Sequence, residues 1–570
     1  MKKIHIMIVG LMAGMVMLAG CKREYGTVTL GANIDNGRDA KVYIDNLTPC
    51  WHNNDLIRVN NQTCTTSAAL GSSAQITDVV ESNHYRAIYP ADIVGDVDIS
   101  SSSTITVTLP RVQQYEVDSR GDQKVKVPMG AYSSSESLTF HNLCSLIKVV
   151  ISNRTNNDFV LDYITVIANT AHLSGQGEAT ITGSSTDLIT MTSPYLPCKD
   201  VSLAFTTDNR PTIGRGDRDT YVYYIVVPAF AQDNVGITLY SANGQHATIE
   251  KTGVSLQHNK IATINLIVEQ WNELPNPPSV NGMLPGLFSV SDTRQVRFSQ
   301  GNLQYQASTS TWRFAENQWD YVGSQSVTGE EYGRGTVSGS DNTNISSSYS
   351  GWIDLFGWGT SGWNSGANCY QPWSTSQTYS DYYPGGSNSN GLTGAYIEAD
   401  WAWHNAISNG GNTTHLWRTL TDEEWEYLIN GRVNNNNKWG YGNINGVRGL
   451  IILPDSWTLP RGCSFNGGFG HYAWTHNIYT LAQWSLMEAA GAVFLPAAGQ
   501  RVGANLGFWG GCYWSSWCYY DFYYNDSHQV FYEPWENSVM GITFSATVLY
   551  PSNPQNRFLG FSVRPVRDNN

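Results

Sequence analysis

The sequence predicts a multidomain chain in which two all-β sandwiches precede one α+β domain. Residues 26–268 consist of short β-branched and aromatic runs separated by Gly, Asn and Ser clusters, with no long helical period. Residues 284–567 contain eighteen of the twenty tryptophans and two segments with helical spacing. At 570 residues the chain is too long for one ordinary domain. The predicted boundaries are 21–154, 155–270 and 284–570, with a linker at 271–283.

The composition excludes several classes of function. Charged residues make up only 14% of the chain and the formal net charge is −14, so no basic face for nucleic acid is expected. No phosphate-binding loop, zinc-protease helix, C-x-x-C pair or dinucleotide fingerprint occurs in the sequence. We therefore expect a protein that is not an enzyme, with no catalytic residues, no metal and no cofactor.

The first twenty residues read as a signal peptide. Two lysines precede an apolar run that is short for a membrane span and ends in small residues. The sequence Leu18-Ala19-Gly20-Cys21 resembles the lipobox of bacterial lipoproteins. That resemblance implies cleavage before Cys21 and its acylation. It predicts an outer membrane lipoprotein precursor at the cell surface or in a fimbrium.

The sequence predicts a series of strands in each of the two sandwiches. GTVTLGANI (26–34) and TITVTLP (104–110) belong to the first predicted sandwich, which closes with CSLIKVVISN (144–153). YVYYIVVPAF (221–230) and KIATINLIVEQ (260–270) belong to the second. The stretch WNELPNPPSVNG that follows has three prolines and no apolar period, which is typical of a stiff linker.

Two helices are predicted in the last domain. The first opens at Thr421 with Glu424 three positions on, which is a capping box, and Gly431 is placed to end it. The second opens at Thr480, carries Trp484 and stops at Gly491. Short strands and long Gly-, Ser- and Asn-rich loops surround both, so a compact α+β domain is expected.

Eight cysteines follow Cys21, and an even number in an exported chain permits disulfides. Spacing alone leaves 105 connectivities open. We expect the local pairs Cys50–Cys64 and Cys512–Cys518.

The sandwich half resembles the fimbrillin family of Bacteroidales pilus subunits. The lipobox, YRAIYPA (85–91), PMGAY followed by LTFHNLCSLIKVVISN (128–153), and the later VVPAF and KIATINLIV segments carry this resemblance. It implies two transthyretin-like sandwiches that assemble by strand exchange with other pilus subunits. In that family a cleavage after an arginine removes the first strand, and Arg38 occupies such a place here. Because this chain ends inside a globular domain, we expect a tip position.

The C-terminal half resembles formylglycine-generating-enzyme-type domains, which have a C-type-lectin-like fold. LWRTLTDEEWEYLINGR (416–432), GWIDLFGWGTSGW (351–363), FLPAAGQR (494–501) and GFSVRPVR (560–567) carry the resemblance. Similar domains are the variable proteins of diversity-generating retroelements. The resemblance implies cell adhesion through a variable, ligand-facing surface that binds an extracellular protein or glycan.

The stretch YWSSWCYYDFYYNDSH at 513–528 is the predicted ligand-facing segment. Eight of its sixteen residues are aromatic and follow neither helical nor strand periodicity, which fits an exposed surface better than a core strand pair, although the core alternative stays open. Tyr-rich surfaces bind ligands at low entropic cost. The predicted ligand-binding residues are Asn505, Leu506, Phe508, Cys512, Trp517, Cys518, Tyr519, Tyr520, Asp521, Phe522, Tyr523, Tyr524, Asn525, Phe558 and Leu559.

Three alternatives remain open at this point. Cys512 and Cys518 lie near the place where formylglycine-generating enzymes hold copper, but the spacing is C-x5-C rather than C-x4-C. Glu533-Pro534-Trp535-Glu536-Asn537 is similar to the E-P-N signature of calcium-dependent lectins. A surface glycan-binding lipoprotein that never polymerises is the third alternative.

Overall fold

The computed structural model describes residues 27–35, 50–117, 121, 123–191, 197–216, 220–242, 244–274, 279, 281–323, 335–468, 474–507, 510–524 and 530–569. For residues 519–524 and 530–537 it describes the backbone. The signal peptide, Cys21, Arg38, Phe508 and Asn525 lie outside the described residues. The prediction of a multidomain, mostly β chain with few helices is confirmed.

The regular elements of the described residues up to 273 are almost all strands. Those up to residue 142 are β1 Thr27–Ile34, β2 Leu56–Val59, β3 Gln62–Leu70, β4 Ser73–Val80, β5 Tyr85–Tyr89, β6 Thr104–Leu109, β7 Val112–Gln114, β8 Glu116–Val117, β9 Gln123–Lys124, β10 Met129–Ser133 and β11 Ser137–Asn142. Those up to residue 273 are β12 Ser145–Asn153, β13 Phe159–Ala168, β14 Gly175–Thr180, β15 Ile189–Thr190, β16 Asp200–Ala204, β17 Thr212–Ile213, β18 Tyr221–Val227, β19 Phe230–Ser241, β20 Gln245–Leu256, β21 Ile261–Val268 and β22 Asn272–Glu273.

The remaining part mixes strands with short helices. Its strands are β23 Phe288–Ser289, β24 Gln295–Phe298, β25 Leu303–Gln306, β26 Thr311–Phe314, β27 Trp439–Ile444, β28 Val447–Ile452, β29 Ile478–Tyr479, β30 Val493–Pro496, β31 Gln500–Val502, β32 Asn505–Gly507, β33 Gly511–Tyr524, β34 Val530–Phe544, β35 Leu549–Asn556, β36 Leu559–Gly560 and β37 Val566–Asp568. Its α-helices are α1 Trp401–His404, α2 Asp422–Glu426 and α3 Leu481–Ala489. None of the described helices is long and apolar enough to cross a membrane.

The chain forms two compact units, and the first comprises the described residues up to 105 together with 128–142 and 180–187. Its strands form a closed barrel in the order β1-β11-β10-β5-β2-β3-β4. The barrel closes because β1 pairs on both sides, parallel with β11 and antiparallel with β4. The first unit is thus a barrel where the sequence predicts a sandwich. Trp51 fills its core, with ring centroids 5.4 Å from Tyr89 and 5.1 Å from Phe140.

The second unit contains 106–127, 143–179 and 188 onwards. Its first part is a sandwich in which the sheet β18-β12-β21 and the sheet β22-β20-β19-β13-β16-β7 enclose one apolar core. Strand β12, which the predicted boundary at 154 assigns to the first sandwich, pairs here with β18 and β21. Residues 106–127 also belong to this unit, although they come from the middle of the first predicted domain.

Two glutamine side chains complete the free edge of β18. The Gln113 amide donates to the Val226 carbonyl at 2.7 Å and accepts from the Val226 N–H at 3.0 Å. Gln123 does the same for Tyr224, at 2.8 and 2.9 Å. Each amide satisfies the backbone groups that a neighbouring strand would otherwise pair with.

The second part of this unit is the predicted α+β domain, which we call the C-terminal domain (residues 283–569). Both predicted helix starts are confirmed, since the capping boxes of Thr421 with Glu424 and of Thr480 with Gln483 are formed in both directions. Gly431 ends the π-helical turn that continues α2. Gly491 follows α3 at φ +100°, a conformation that favours glycine.

Candidate functional site

The predicted ligand-facing segment forms a long antiparallel hairpin. Strand β33 pairs with β34 from Gly511–Phe544 at the base to Tyr524–Val530 near the turn. The third strand, β35, pairs with β34 only over Ser538–Phe544. In the described pairing, the hairpin therefore continues beyond β35 as two strands alone. We call residues 519–524 and 530–537 the aromatic ribbon.

Three indoles hold the base of the ribbon. Trp514 is fully buried and stacks on Phe561, with 4.2 Å between ring centroids, and its Nε1 donates to the Phe356 carbonyl at 2.7 Å. Trp358 Nε1 donates to the Ser515 carbonyl at 3.1 Å, and Trp425 Nε1 to the Trp514 carbonyl at 3.4 Å. The inward orientation predicted for Trp514 is confirmed. These bonds fix strand β33 just before the ribbon begins.

A buried arginine ties the ribbon to a neighbouring loop. The guanidinium of Arg557 lies 4.5 Å from the ring centroid of Trp358 and 5.1 Å from that of Tyr383. It donates to the carbonyls of Asn388 and Asn390 and, at 3.4 Å, to Cys518 Sγ. Aromatic faces and carbonyl oxygens thus surround the buried guanidinium.

No motif in the sequence indicates this role for Arg557. It directly precedes the predicted residues Phe558 and Leu559, but apart from Cys518 its partners come from residues 358–390, far away in the chain. The Leu392 N–H also donates to the Ser516 carbonyl, at 3.0 Å, so the same loop contacts β33 directly as well as through Arg557. A loop with no helical or strand period in its sequence therefore helps to hold strand β33 below the aromatic ribbon.

The predicted site residues separate into three groups. Asn505 is exposed, while Leu506, Trp517 and Phe558 are partly buried. Cys512, Cys518 and Leu559 are core residues with 3%, 1% and 8% exposure, which corrects their expected place on the ligand-facing surface. They are buried because they pack in the same apolar cluster as Trp514. Tyr519, Tyr520, Asp521, Phe522, Tyr523 and Tyr524 belong to the ribbon, whose backbone alone is described.

The two cysteines do not fit a copper site. Cys512 lies opposite Thr543 and Cys518 opposite Val539, four residues apart on β34. At about 3.4 Å per residue, this places the two cysteine backbones about 14 Å apart, too far for two thiolates on one ion or for a disulfide. Burial raises the pKa of both thiols, that of Cys512 to about 12, so each is a neutral thiol.

The eight described cysteines are free thiols, so neither predicted disulfide forms. The described residues contain no cluster of three or more His, Cys, Asp or Glu side chains that could hold a metal ion. Of the acidic residues near the E-P-N-like segment, Asp521 and Glu533 face each other across the ribbon in backbone register. The calcium alternative stays a prediction.

Comparison with known proteins gives matches among solved structures. No family model and no curated protein matches the chain. A cell adhesion protein of Bacteroides ovatus is 11% identical and has a TM-score of 0.28, covering 44% of this chain and 96% of its own. A similar protein of Bacteroides uniformis is 11% identical with a TM-score of 0.25, covering 43% of this chain and 94% of its own.

A third match is the tip fimbrial protein Mfa3 of Porphyromonas gingivalis, truncated at its C-terminus. It is 8% identical with a TM-score of 0.21, and covers 43% of this chain and 96% of its own. The chain is thus similar, over less than half of its length, to proteins described as adhesion or fimbrial proteins.

Proposed function

We propose that this chain is a cell-surface adhesin, acting as a pilus tip subunit, that binds an external protein or glycan through the aromatic ribbon. The observation that carries the proposal is the two-stranded hairpin that leaves its sheet where the Tyr-rich segment begins. A structural core needs no such extension. Aromatic side chains on a firmly held support are typical of binding surfaces.

The support under the ribbon favours binding by a preorganised surface. Trp514 and Trp358 fix the backbone of β33, and Arg557 joins Cys518 to the loop at 388–390. A ligand that meets a fixed hairpin loses less free energy to ordering than one that meets a mobile loop. The C-type-lectin-like resemblance of residues 284–567 points the same way, because it implies a ligand surface in this part of the domain.

The first unit supports the pilus role. Strand β1 lies between β4 and β11 and buries Leu30, Ala32 and Ile34 in the barrel. Cleavage after Arg38 would release this strand and open a groove lined by the paired edges of β4 and β11, into which a strand of another subunit fits. This is the strand exchange that the fimbrillin resemblance implies.

Strand β37 is not free to act as a donor. It pairs with β24, and the Asp568 carboxylate accepts from Arg418 at 2.7 and 2.9 Å. We propose the tip position because β37 stays paired within its own domain while the first unit would accept a strand. Immunogold labelling of intact fibres tests this point, and gold along the shafts would contradict the tip position.

Binding is tested with the full chain on glycan and protein arrays. The variant Tyr520→Ser/Tyr523→Ser removes two rings of the ribbon, and Tyr379→Ser removes a partly exposed ring elsewhere in the same domain as a matched control. We expect the ribbon variant to lose at least tenfold in affinity for any hit and the control to bind as the wild type does. Equal binding by all three proteins would refute the proposed surface.

A surface glycan-binding lipoprotein that does not polymerise is the second candidate. The closed barrel with β1 in place favours it, since this is the state that such a protein would keep. N-terminal sequencing of the surface form separates the two, because a pilus subunit would begin after Arg38 and the second candidate at the acylated Cys21.

Diversification of the ribbon is tested by searching beside the gene for a reverse transcriptase and a near-copy of its 3′ end.

A further inference from the structure

Within the second unit, the sandwich of residues 106–274 and the C-terminal domain share a buried polar network. Its centre is Arg111, which directly precedes β7 and is buried together with Asp200 at the start of β16. The Arg111 Nε donates to Asp200 Oδ2 at 2.8 Å. Both residues belong to the sandwich, so this pair alone would make an ordinary structural salt bridge.

The other donors of Arg111 point to the C-terminal domain. Nη2 donates to Ser464 Oγ at 2.8 Å and Nη1 to the His476 carbonyl at 2.6 Å. Ser464 Oγ in turn donates to Asp200 Oδ1 at 2.7 Å. The network therefore joins two side chains of the sandwich to two groups of the C-terminal domain. We call Arg111, Asp200, Ser464 and the His476 carbonyl the junction.

The segment that meets the sandwich is itself held firmly. The Asn477 side chain donates to the Tyr441 carbonyl at 2.7 Å and to the Asn466 carbonyl at 2.8 Å, which ties the segment to strand β27. The Tyr479 hydroxyl donates to the Ser464 carbonyl from a fully buried position. Ser464 therefore has a fixed place relative to the rest of its domain.

Beside the junction, the backbone of the C-terminal domain at Gly462 comes close to strand β19 of the sandwich. The hydroxyl of the buried Tyr240, on β19, donates to the Gly462 carbonyl at 2.9 Å. Gly462 has φ +86°, and a Cβ there would come within 2.8 Å of Thr238 Oγ1 and 2.9 Å of the Tyr240 hydroxyl. Only glycine suits both the conformation and the contact. An exposed ion pair of Arg461 with Glu250 at 2.9 Å lies at the rim.

The chain also connects the two domains covalently. Trp271 stacks on Phe159 at 3.3 Å between ring centroids, and β22 pairs with β20, so the chain stays on the sandwich as far as residue 273. The C-terminal domain begins at residue 283, so nine residues, 274–282, connect the two domains. The buried guanidinium of Arg111 resists sliding between the domains, because sliding would leave it without partners away from water.

We propose that the junction, centred on Arg111, makes the second sandwich and the C-terminal domain one rigid body. The inference does not depend on the proposed function. It has a consequence for any ligand-binding role, since a surface on the C-terminal domain is then presented at a fixed angle to the sandwich.

The test measures the distance between the domains directly. Spin labels are attached in the full chain at Thr252→Cys on β20 and at Val433→Cys, two exposed positions, with the partly exposed Cys50 and Cys369 replaced by Ser. Electron–electron double resonance then gives the distribution of distances. We expect one narrow distribution in the otherwise unchanged protein.

Arg111→Met should broaden this distribution at least twofold. The matched control is Arg210→Met, which removes another Arg–Asp pair of the same sandwich, with Arg210 Nε 2.7 Å from Asp162 Oδ1, and should leave the width unchanged. If circular dichroism shows that Arg111→Met does not fold, Ser464→Ala replaces it with the same expectation. A broad distribution in the parent protein, or an unchanged width in the junction variant, would overturn the proposal.

Discussion

Truncation of Leu30 tests whether β1 is an integral part of the barrel. The side chain has 0% exposure and lies in the core cluster that includes Ile57, Leu138 and Phe140. Leu→Ala at a fully buried position lowers the free energy of unfolding by about 2–5 kcal/mol, through lost burial and the cavity left behind. For a domain of 60–100 residues, each kcal/mol lowers Tm by about 4–8 °C, so we expect Leu30→Ala to lower the Tm of the first unit by about 15 °C.

The assay is hydrogen exchange with mass spectrometry along a temperature ramp, read in peptides from β4 and β11. These strands are the two neighbours of β1, so their exchange reports on the pairing of β1 in the barrel and not on the second unit. Thr29→Ala, at an exposed position of the same strand, is the control and should change the free energy of unfolding by less than about 0.5 kcal/mol. Equal effects of the two variants would show that β1 contributes no core packing, and would remove the groove from the proposed assembly.

Three further predictions concern the C-terminal domain. Thr480→Ala removes the cap of α3 and should lower the free energy of unfolding by about 1 kcal/mol in urea titrations, whereas no change would contradict the capping box. Hydrogen bonds from Arg418 lower the pKa of Asp568, so the charged carboxylate stabilises the fold above the usual carboxyl pKa, and this effect is lost as pH falls through the lowered pKa. The difference in free energy of unfolding between the wild type and Asp568→Asn should therefore become smaller on acidification. A difference that does not change with pH would refute this. Cys512 should resist iodoacetamide at pH 8 in the folded protein and react after unfolding, as judged by mass spectrometry, because burial raises its pKa to about 12; native labelling would contradict its place in the core.

Local signals in the sequence predicted local structure well. Thr421 and Thr480 start helices because a hydroxyl and a Glu or Gln three positions on satisfy the free N–H groups, and all of these residues lie within one turn. The two closing glycines follow from the same local rule. The burial of Trp514 was also predicted, from the resemblance of YWSS to an inner strand.

Features that depend on distant residues were not predicted. Residues 106–127 read as part of the first domain, yet their partners at 200–226 place them in the second unit. Arg111 and Arg557 are single arginines without any surrounding motif, and their hydrogen-bond partners lie between 39 and 365 residues away in the chain. Cys512 and Cys518 look like a pair in the sequence because six positions separate them, but an extended strand makes that separation long.

The glutamines at the edge of β18 affect how readily copies of this protein can aggregate at high concentration. An exposed strand edge is a place where identical molecules can stack against one another and precipitate. Gln113 and Gln123 occupy that edge with side-chain amides that no second molecule can displace without breaking four hydrogen bonds. Replacement of both by leucine would remove these four hydrogen bonds from the β18 backbone, and we expect it to make the protein more prone to aggregation.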